Sequence, residues 1–370
     1  MVWNDVLCDK YLNNDKGSFM RKTKDIVKIL VSSMVLCIGL TGCGAFAGED
    51  HTDAAVARIE NYEYEEALAI LDEAAEAGED AQMIARCRGI AQAGLTNYEE
   101  AVACYLEALS YSNLFVGDLD FDLNYYLADA YEKLGRREEA KSVYSAILEL
   151  RPQEVNALFL RGRLYLEDGQ FDLALADFNK TVELDKNGYD LRIEIAGLLS
   201  EKGYREEGLY YMQKFLADNE KRLSDYDKGR IYYYMGDYEK AKVSLESAKS
   251  EESDDVILLL GKSYEQLGDY NYATSVYKNY LEEHPESAVL FNQLGLCKMK
   301  SGEYEEALSA FRSAANVENN GMSQTLEFNQ IAAYEHVGNF KQAAVLMEQY
   351  LKKYPEDEQA RREYEFLKSR

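Results

Sequence analysis

The stretch GEYEEA, residues 302–307, is one of nine copies of a short phrase that recurs along this 370-residue chain. Each copy ends in a small residue, which we call the marker. The intervals between successive markers are 34, 39, 34, 34, 33, 32, 34 and 36 residues. A period near 34 residues is typical of a repeated helical hairpin, so the phrase predicts an array of such hairpins. The markers are Ala67, Ala101, Ala140, Ala174, Gly208, Ala241, Ala273, Ala307 and Ala343.

The residue types inside the phrase indicate how one hairpin forms. Gly302 supplies the left-handed turn that ends the first helix, and Tyr304 opens the second helix and packs between hairpins. The marker Ala307 lets the two helices approach closely, and Phe311 lies one helical turn later on the same face. Since a large apolar residue follows four positions after every marker, the pattern predicts a second helix that buries this face.

The first helix and the end of each hairpin carry their own signals. A small residue lies twelve positions before the marker in eight copies. The ninth copy has Ile331 there, and we expect Ala332 to serve in its place. Proline ends a helix, and the three prolines of the chain each lie twelve residues after a marker, at Pro152, Pro285 and Pro355.

Together these positions resemble the tetratricopeptide repeat family over residues 53–356. The resemblance implies an all-α fold, a right-handed superhelical solenoid of about nine helix-turn-helix hairpins. We expect residues 357–370 to form a polar-faced capping helix, because the last hairpin has no neighbour to cover its apolar face. The interval of 39 residues places an insertion near residues 110–122, which we interpret as a tolerated insertion rather than a contact loop.

The N-terminus follows a different pattern. From Met20 the chain has a basic start, an apolar stretch over residues 29–40 and then Thr41, Gly42 and Cys43, the layout of a secretory signal peptide. The apolar stretch is short of the roughly 20 residues that a membrane-spanning helix needs. Residues 40–43, LTGC, resemble the lipobox of bacterial lipoproteins, which implies cleavage before Cys43 and a diacylglyceryl group on its thiol.

This resemblance divides the N-terminal region into three segments. Residues 1–19 are expected to lie upstream of the true start, residues 20–42 to form the lipoprotein signal peptide and residues 43–52 to form a tether. We expect an exported protein held at the extracytoplasmic face of the cell membrane by the lipid on Cys43. The sequence leaves open whether Met1 or Met20 is the start and whether the envelope is Gram-positive or Gram-negative.

The composition argues against several classes of function. The chain has 41 basic and 67 acidic residues, whereas a nucleic-acid backbone is bound by clustered Lys and Arg. Paired glutamates such as Glu305 and Glu306 recur at one position of the repeat, where they complement a helix dipole rather than form an active site. The three histidines show no metal-binding spacing. We therefore predict no nucleic-acid partner, no enzyme activity, no cofactor and no metal site.

Three cysteines follow Cys43 in the sequence. Cys87, Cys104 and Cys297 have no CxxC spacing and are interpreted as small buried apolar residues. A bridge between Cys87 and Cys104 is the alternative, because they fall on two successive predicted helices.

The resemblance also implies a binding surface. In tetratricopeptide arrays the first helices of successive hairpins line a concave groove that binds extended peptides or partner helices. Aromatic rings beside Arg and Lys suit an acidic or aromatic-bearing peptide, and a solvated groove with scattered charges is the alternative. Positions five, nine and twelve of the repeat place these residues in the groove: Tyr125, Phe159, Arg163, Tyr226, Arg230, Tyr233 and Lys262.

The sequence therefore predicts a membrane-anchored scaffold or adaptor that binds other proteins or peptides at the cell envelope. A lipoprotein that captures a glycan or a peptide for uptake is the alternative function. The identity of the partner and the oligomeric state stay open at this point.

Overall fold

The computed structural model describes residues 50–112, 117–318, 320–368 and 370. These residues form 19 α-helices, which alternate as the first and second helices of nine hairpins before a last helix, α19 (Glu358–Lys368). The first helices are α1 (His51–Glu60), α3 (Ala81–Gly94), α5 (Asp118–Lys133), α7 (Val155–Glu167), α9 (Asp190–Glu201), α11 (Asp225–Met235), α13 (Asp254–Gln266), α15 (Ala288–Lys300) and α17 (Ser323–His336). The second helices are α2 (Tyr64–Ala77), α4 (Tyr98–Ser110), α6 (Arg137–Leu150), α8 (Phe171–Leu184), α10 (Arg205–Asn219), α12 (Tyr238–Ala248), α14 (Tyr270–Leu281), α16 (Tyr304–Asn316) and α18 (Phe340–Lys353).

The predicted all-α array of nine hairpins and a last helix is confirmed. The chain divides within α10 into two compact units, whose described parts are residues 50–213 and residues 214–370. We call these the N-terminal unit and the C-terminal unit. The predicted leader, Cys43 and most of the predicted tether lie outside the described residues, as do residues 113–116 of the insertion. No helix in the described part is long and apolar enough to cross a membrane.

The marker positions determine how the two helices of a hairpin pack. All eight marker alanines are fully buried, and the large residue four positions later is buried in every hairpin. In the five hairpins that have a glycine twelve positions before the marker, this large residue is the nearest neighbour of that glycine. A Cβ atom added to Gly261 would lie 2.2 Å from the ring of Tyr277, and one added to Gly89 would lie 2.4 Å from the ring of Tyr105. The small and large positions are therefore complementary partners within one hairpin.

The ninth hairpin corrects one expectation about this packing. Ile331 itself occupies the buried position, with 1% of its surface exposed, whereas Ala332 is only partly buried. Ile331 packs in one cluster with Met347, the large residue of this hairpin. A flexible unbranched thioether adapts to a larger neighbour than a ring does, so the isoleucine fits without a substitute.

The turn between the helices uses one backbone conformation throughout. Seven hairpins have a glycine five residues before the marker, with φ between 72° and 89°. In the first two hairpins Tyr62 and Thr96 occupy the same position with φ of 63° and 65°. The helical packing therefore imposes the left-handed turn even where the residue disfavours it.

The first helix begins two residues before the predicted start of the array. The carboxylate of Glu79 accepts hydrogen bonds from the backbone N–H groups of His51 at 3.0 Å and Thr52 at 2.9 Å. Asp50 also accepts from the N–H of Thr52 at 3.2 Å. These carboxylates satisfy N–H groups that a helix start leaves without intrahelical partners, so α1 begins at His51.

The three cysteines of the described chain are free thiols. Cys87 and Cys297 are fully buried and Cys104 is partly buried, in agreement with their interpretation as apolar residues. The alternative of a bridge between Cys87 and Cys104 does not hold in this structure.

Candidate functional site

The candidate surface is formed by the first helices. Within the N-terminal unit α1 contacts α3 and α3 contacts α5, and within the C-terminal unit α11 contacts α13 and α13 contacts α15. These first helices of successive hairpins therefore lie side by side. The seven residues predicted from the repeat register lie on these helices, with Tyr125, Phe159 and Arg163 in the N-terminal unit and the other four in the C-terminal unit.

Tyr125 on α5 is partly buried. Its ring centroid lies 6.1 Å from that of Tyr144, the large residue of the third hairpin. Desolvation and the nearby carboxylate of Glu154 raise the pKa of Tyr125. The ring of Tyr125 is therefore held in place by the hairpin core and offers part of its surface to the outside.

Phe159 on α7 belongs to the core. Only 7% of its surface is exposed, and its ring centroid lies 6.2 Å from that of Phe178. The prediction that Phe159 lines an open groove is therefore wrong for this structure. Phe178, the large residue of the fourth hairpin, packs against Gly162, and the Phe159 ring lies beside it in the same apolar cluster.

Arg163 on α7 pairs with carboxylates of the array. One guanidinium nitrogen lies 2.5 Å from Glu132 on α5, and another lies 3.3 Å from Glu167. Glu132 also accepts a hydrogen bond from the hydroxyl of Tyr144 at 2.9 Å. The positive charge of Arg163 therefore links the third and fourth hairpins, which leaves less of it for an acidic partner.

Glu265 on α13 forms a similar link in the C-terminal unit. It accepts hydrogen bonds from Tyr277 at 2.8 Å and from Gln293 at 2.9 Å, and Lys300 lies 3.5 Å away. Only 2% of the Glu265 side chain is exposed. Its burial with these partners makes Glu265 part of the contact between the seventh and eighth hairpins.

The sequence contains a signal for both links. Glu132 and Glu265 each lie eight residues before a marker, in hairpins whose large residue is a tyrosine. Because the two glutamates share this position, the sequence could have predicted that they make equivalent contacts. The cationic partner is harder to find, because it lies one repeat further along the chain at a position that differs between the two links.

The C-terminal unit holds the four remaining predicted residues. Tyr226 and Tyr233 pack, partly buried, against its core, and the Tyr233 ring centroid lies 5.4 Å from that of Tyr234. Arg230 and Lys262 are half-buried, and both have partner groups within the fold. Which of these side chains contact a partner protein stays a prediction.

The N-terminal unit presents further side chains that are not among the seven predicted residues. Asp122, Tyr126 and Asp129 lie on α5 together with Tyr125, and Asp129 is exposed. Tyr126 stacks on the buried ring of Tyr105 with a centroid distance of 5.6 Å and an angle of 18°. The tyrosine content of α5 was visible in the sequence, but the orientation of Tyr126 depends on the neighbouring hairpin.

The surface offers aromatic rings, carboxyl groups and cations, which bind by stacking, hydrogen bonds and ion pairs. In the described part of the chain there is no group of three or more His, Cys, Asp or Glu side chains that could hold a metal ion. The arrangement therefore suits non-covalent binding of another polar or charged chain.

Comparison with known proteins identifies the repeat. Tetratricopeptide repeat models match residues 125–189, 226–255, 255–287 and 288–320, so tetratricopeptide repeats are confirmed in these segments. The TPR repeat-containing protein MJ1428 of Methanocaldococcus jannaschii is 27% identical over 61% of this chain and 42% of its own length. The TPR repeat-containing protein YpiA of Bacillus subtilis is 23% identical over 58% of this chain and 52% of its own length. The chain thus spans about half or less of the length of these curated relatives.

Two solved structures align with parts or most of this chain. A tetratricopeptide repeat protein from Parabacteroides merdae is 18% identical, with a TM-score of 0.43 over 67% of this chain and 98% of that one. Yeast Tom70 is 14% identical, with a TM-score of 0.48 over 98% of this chain and 88% of that one.

Proposed function

We propose that this array of tetratricopeptide repeats is a scaffold that binds segments of partner proteins on its first-helix face, and that lipid on Cys43 anchors it at the outer face of the cell membrane. The observation that carries the binding proposal is the set of side chains on α5 that remain accessible while the neighbouring helices hold them in place. Tyr125 and Tyr126 are braced by core rings, and Asp129 is exposed beside them. Rigid aromatic side chains next to charged groups are typical of binding surfaces.

The anchoring part of the proposal rests on the sequence. The basic and apolar leader that ends in LTGC at residues 40–43 has the composition and length of a lipoprotein signal peptide. The chain has a net charge of −26, so electrostatic attraction to an anionic membrane surface is unfavourable. Two acyl chains on one cysteine would supply stable anchoring without such attraction.

Site-specific photocrosslinking in the cell tests the binding surface. A photoreactive residue in place of Lys133, an exposed residue of α5 one turn from Asp129, should give a discrete adduct with a partner protein. The matched control carries the same residue in place of Ser142, which is exposed on the second helix α6. Adducts from position 142 and none from position 133 would place binding elsewhere and contradict the proposal.

A second experiment tests the anchor separately. Cys43→Ser should abolish the mass increase of a diacylglyceryl group and move the protein from the membrane fraction to the soluble fraction. Cys104→Ser is the matched control, because Cys104 is a partly buried thiol of the folded array. Unchanged mass and location of the Cys43→Ser variant would refute lipid anchoring and leave the binding surface untouched.

A further inference from the structure

One face of α5 combines acidic and aromatic groups. Asp122, Tyr126 and Asp129 are three to seven residues apart, a spacing that places side chains on the same side of a helix. Tyr125 lies three residues after Asp122 and four before Asp129, at the edge of the same side. We call these four residues the α5 face. The rings of Tyr125 and Tyr126 are braced by Tyr144 and Tyr105, so the two aromatic groups between the carboxyls are held in place.

The two carboxyl groups of the α5 face have no hydrogen bond or ion pair with any other described residue. Desolvation by the surrounding helices raises the pKa of Asp122 and of Asp129. Arg86 and Arg151 oppose this effect at Asp122, and Lys133 and Arg163 oppose it at Asp129, but desolvation is the larger effect at both. Neither Asp122 nor Asp129 forms an ion pair with these cations, so each carboxylate can pair with a cationic side chain of a ligand.

The nearest guanidinium on α7 does not neutralise this face directly. Arg163 contacts Glu132 at 2.5 Å and Glu167 at 3.3 Å. Glu132 in turn is bound by the hydroxyl of Tyr144 at 2.9 Å. Because these contacts hold the guanidinium on Glu132 and Glu167, Asp129 keeps its negative charge available to a ligand.

We infer that the α5 face binds a partner segment that carries two cationic side chains, one on Asp122 and one on Asp129, with apolar or aromatic atoms against the tyrosines between them. This inference deepens the proposed scaffold function and rests on it. Seven residues along a helix rise by about 10 Å. Three residues of a peptide in the polyproline II conformation span about 9 Å and complete one turn, so side chains three residues apart lie on the same side. A segment with Lys or Arg at every third position therefore matches the separation of the two carboxyls.

The arrangement favours a basic segment over the acidic peptide suggested by the register positions of the N-terminal unit. Of those three positions, Phe159 lies in the core and Arg163 is paired with carboxylates. An acidic segment would meet Asp122 and Asp129 with like charge. Charge complementarity chiefly determines which partners are excluded and how fast the correct one associates.

Binding of two labelled peptides to the full-length protein tests the inference. The probes are a fluorescent Lys-Ala-Ala repeat and a fluorescent Glu-Ala-Ala repeat, and fluorescence anisotropy reports their affinities. We expect the lysine peptide to bind about tenfold more tightly at low ionic strength, with a smaller difference at high ionic strength. Equal affinities, or tighter binding of the glutamate peptide, would overturn the inference.

A matched pair of double variants separates the α5 face from the general acidity of the chain. Asp122→Asn with Asp129→Asn should weaken binding of the lysine peptide about fivefold to tenfold. Asp172→Asn with Glu149→Gln removes the same charge from exposed positions of the second helices α8 and α6 and should change the affinity less than about twofold. An equal loss in both double variants would mean that the peptide responds only to net charge.

Failure of this inference can be distinguished from failure of the proposed scaffold function. An adduct from position 133, together with no preference for the lysine peptide, would retain the scaffold and reject the cationic partner. A preference for the lysine peptide that depends on Asp122 and Asp129 supports the inference.

Discussion

The contact between the last helix and the ninth hairpin contains two carboxyl groups. Glu335 on α17 and Glu363 on α19 lie close enough for their charges to interact, beside the apolar contacts of Ala360 and Leu367. Desolvation raises the pKa of Glu335 from 4.5 to about 8, and the charge of Glu363 is the second cause. Two carboxylates repel each other, whereas one protonated and one ionised carboxyl share a proton favourably. Docking of α19 should therefore weaken as the pH rises.

The sign and size of this effect follow from proton linkage. Because the pKa of Glu335 is higher in the folded chain, its contribution to stability is fully present below about pH 4.5 and is lost as the pH rises through about 8. The difference between the pKa of 4.5 and the pKa of about 8 corresponds to a free energy of about 5 kcal/mol, because each tenfold change in proton affinity corresponds to about 1.4 kcal/mol. Both side chains keep some contact with water, so screening reduces the effect and we expect about 2 kcal/mol.

Hydrogen exchange of the α19 amides measures this contribution, because the end of an array opens before the rest. After correction for intrinsic exchange, opening of α19 should increase about thirtyfold between about pH 5 and about pH 9. Glu335→Gln should remove most of this increase. The matched control is Glu365→Gln, since Glu365 is exposed on α19 and pairs with Lys368 at 2.5 Å. The reasoning is refuted when Glu335→Gln keeps the pH dependence of the unmodified chain.

Four substitutions test the packing rules by urea unfolding. Gly261→Ala places a methyl group 2.2 Å from the Tyr277 ring and should lower the free energy of unfolding by about 1–3 kcal/mol. Gly197→Ala is the control, because a Cβ atom at this position has no neighbouring atom within 4 Å, and it should raise the free energy of unfolding by about 0.5–1 kcal/mol. Equal changes in stability from Gly261→Ala and Gly197→Ala would contradict this packing. Thr96→Gly relieves a φ of 65° and should stabilise by about 1 kcal/mol, so a loss of stability would argue against strain at this turn. Tyr277→Phe removes a hydrogen bond to buried Glu265 and should cost about 1–2 kcal/mol, and an unchanged midpoint would mean that other donors suffice.

The sequence by itself determined the hairpins and their number. Helix ends, the left-handed turn near Gly302 and the small and large positions around Ala307 are local signals that act within about one repeat. They could be read because the same residue types return at the same positions in every copy. All nine markers are buried in the structure, as this regular pattern predicts.

Only the tertiary structure decided which side chains of the candidate surface remain available. Arg163 pairs with Glu132, which is 31 residues away, and Phe159 packs in the core beside Phe178. The partners of both side chains lie on another helix, and their identity changes from one hairpin to the next. A repeat register aligns equivalent positions but carries no information about charges and rings that meet between different helices. The sequence places Asp129 at position nine of the third repeat, but only the packing of α5 against its neighbours shows that this side chain is exposed rather than held in an ion pair like Arg163.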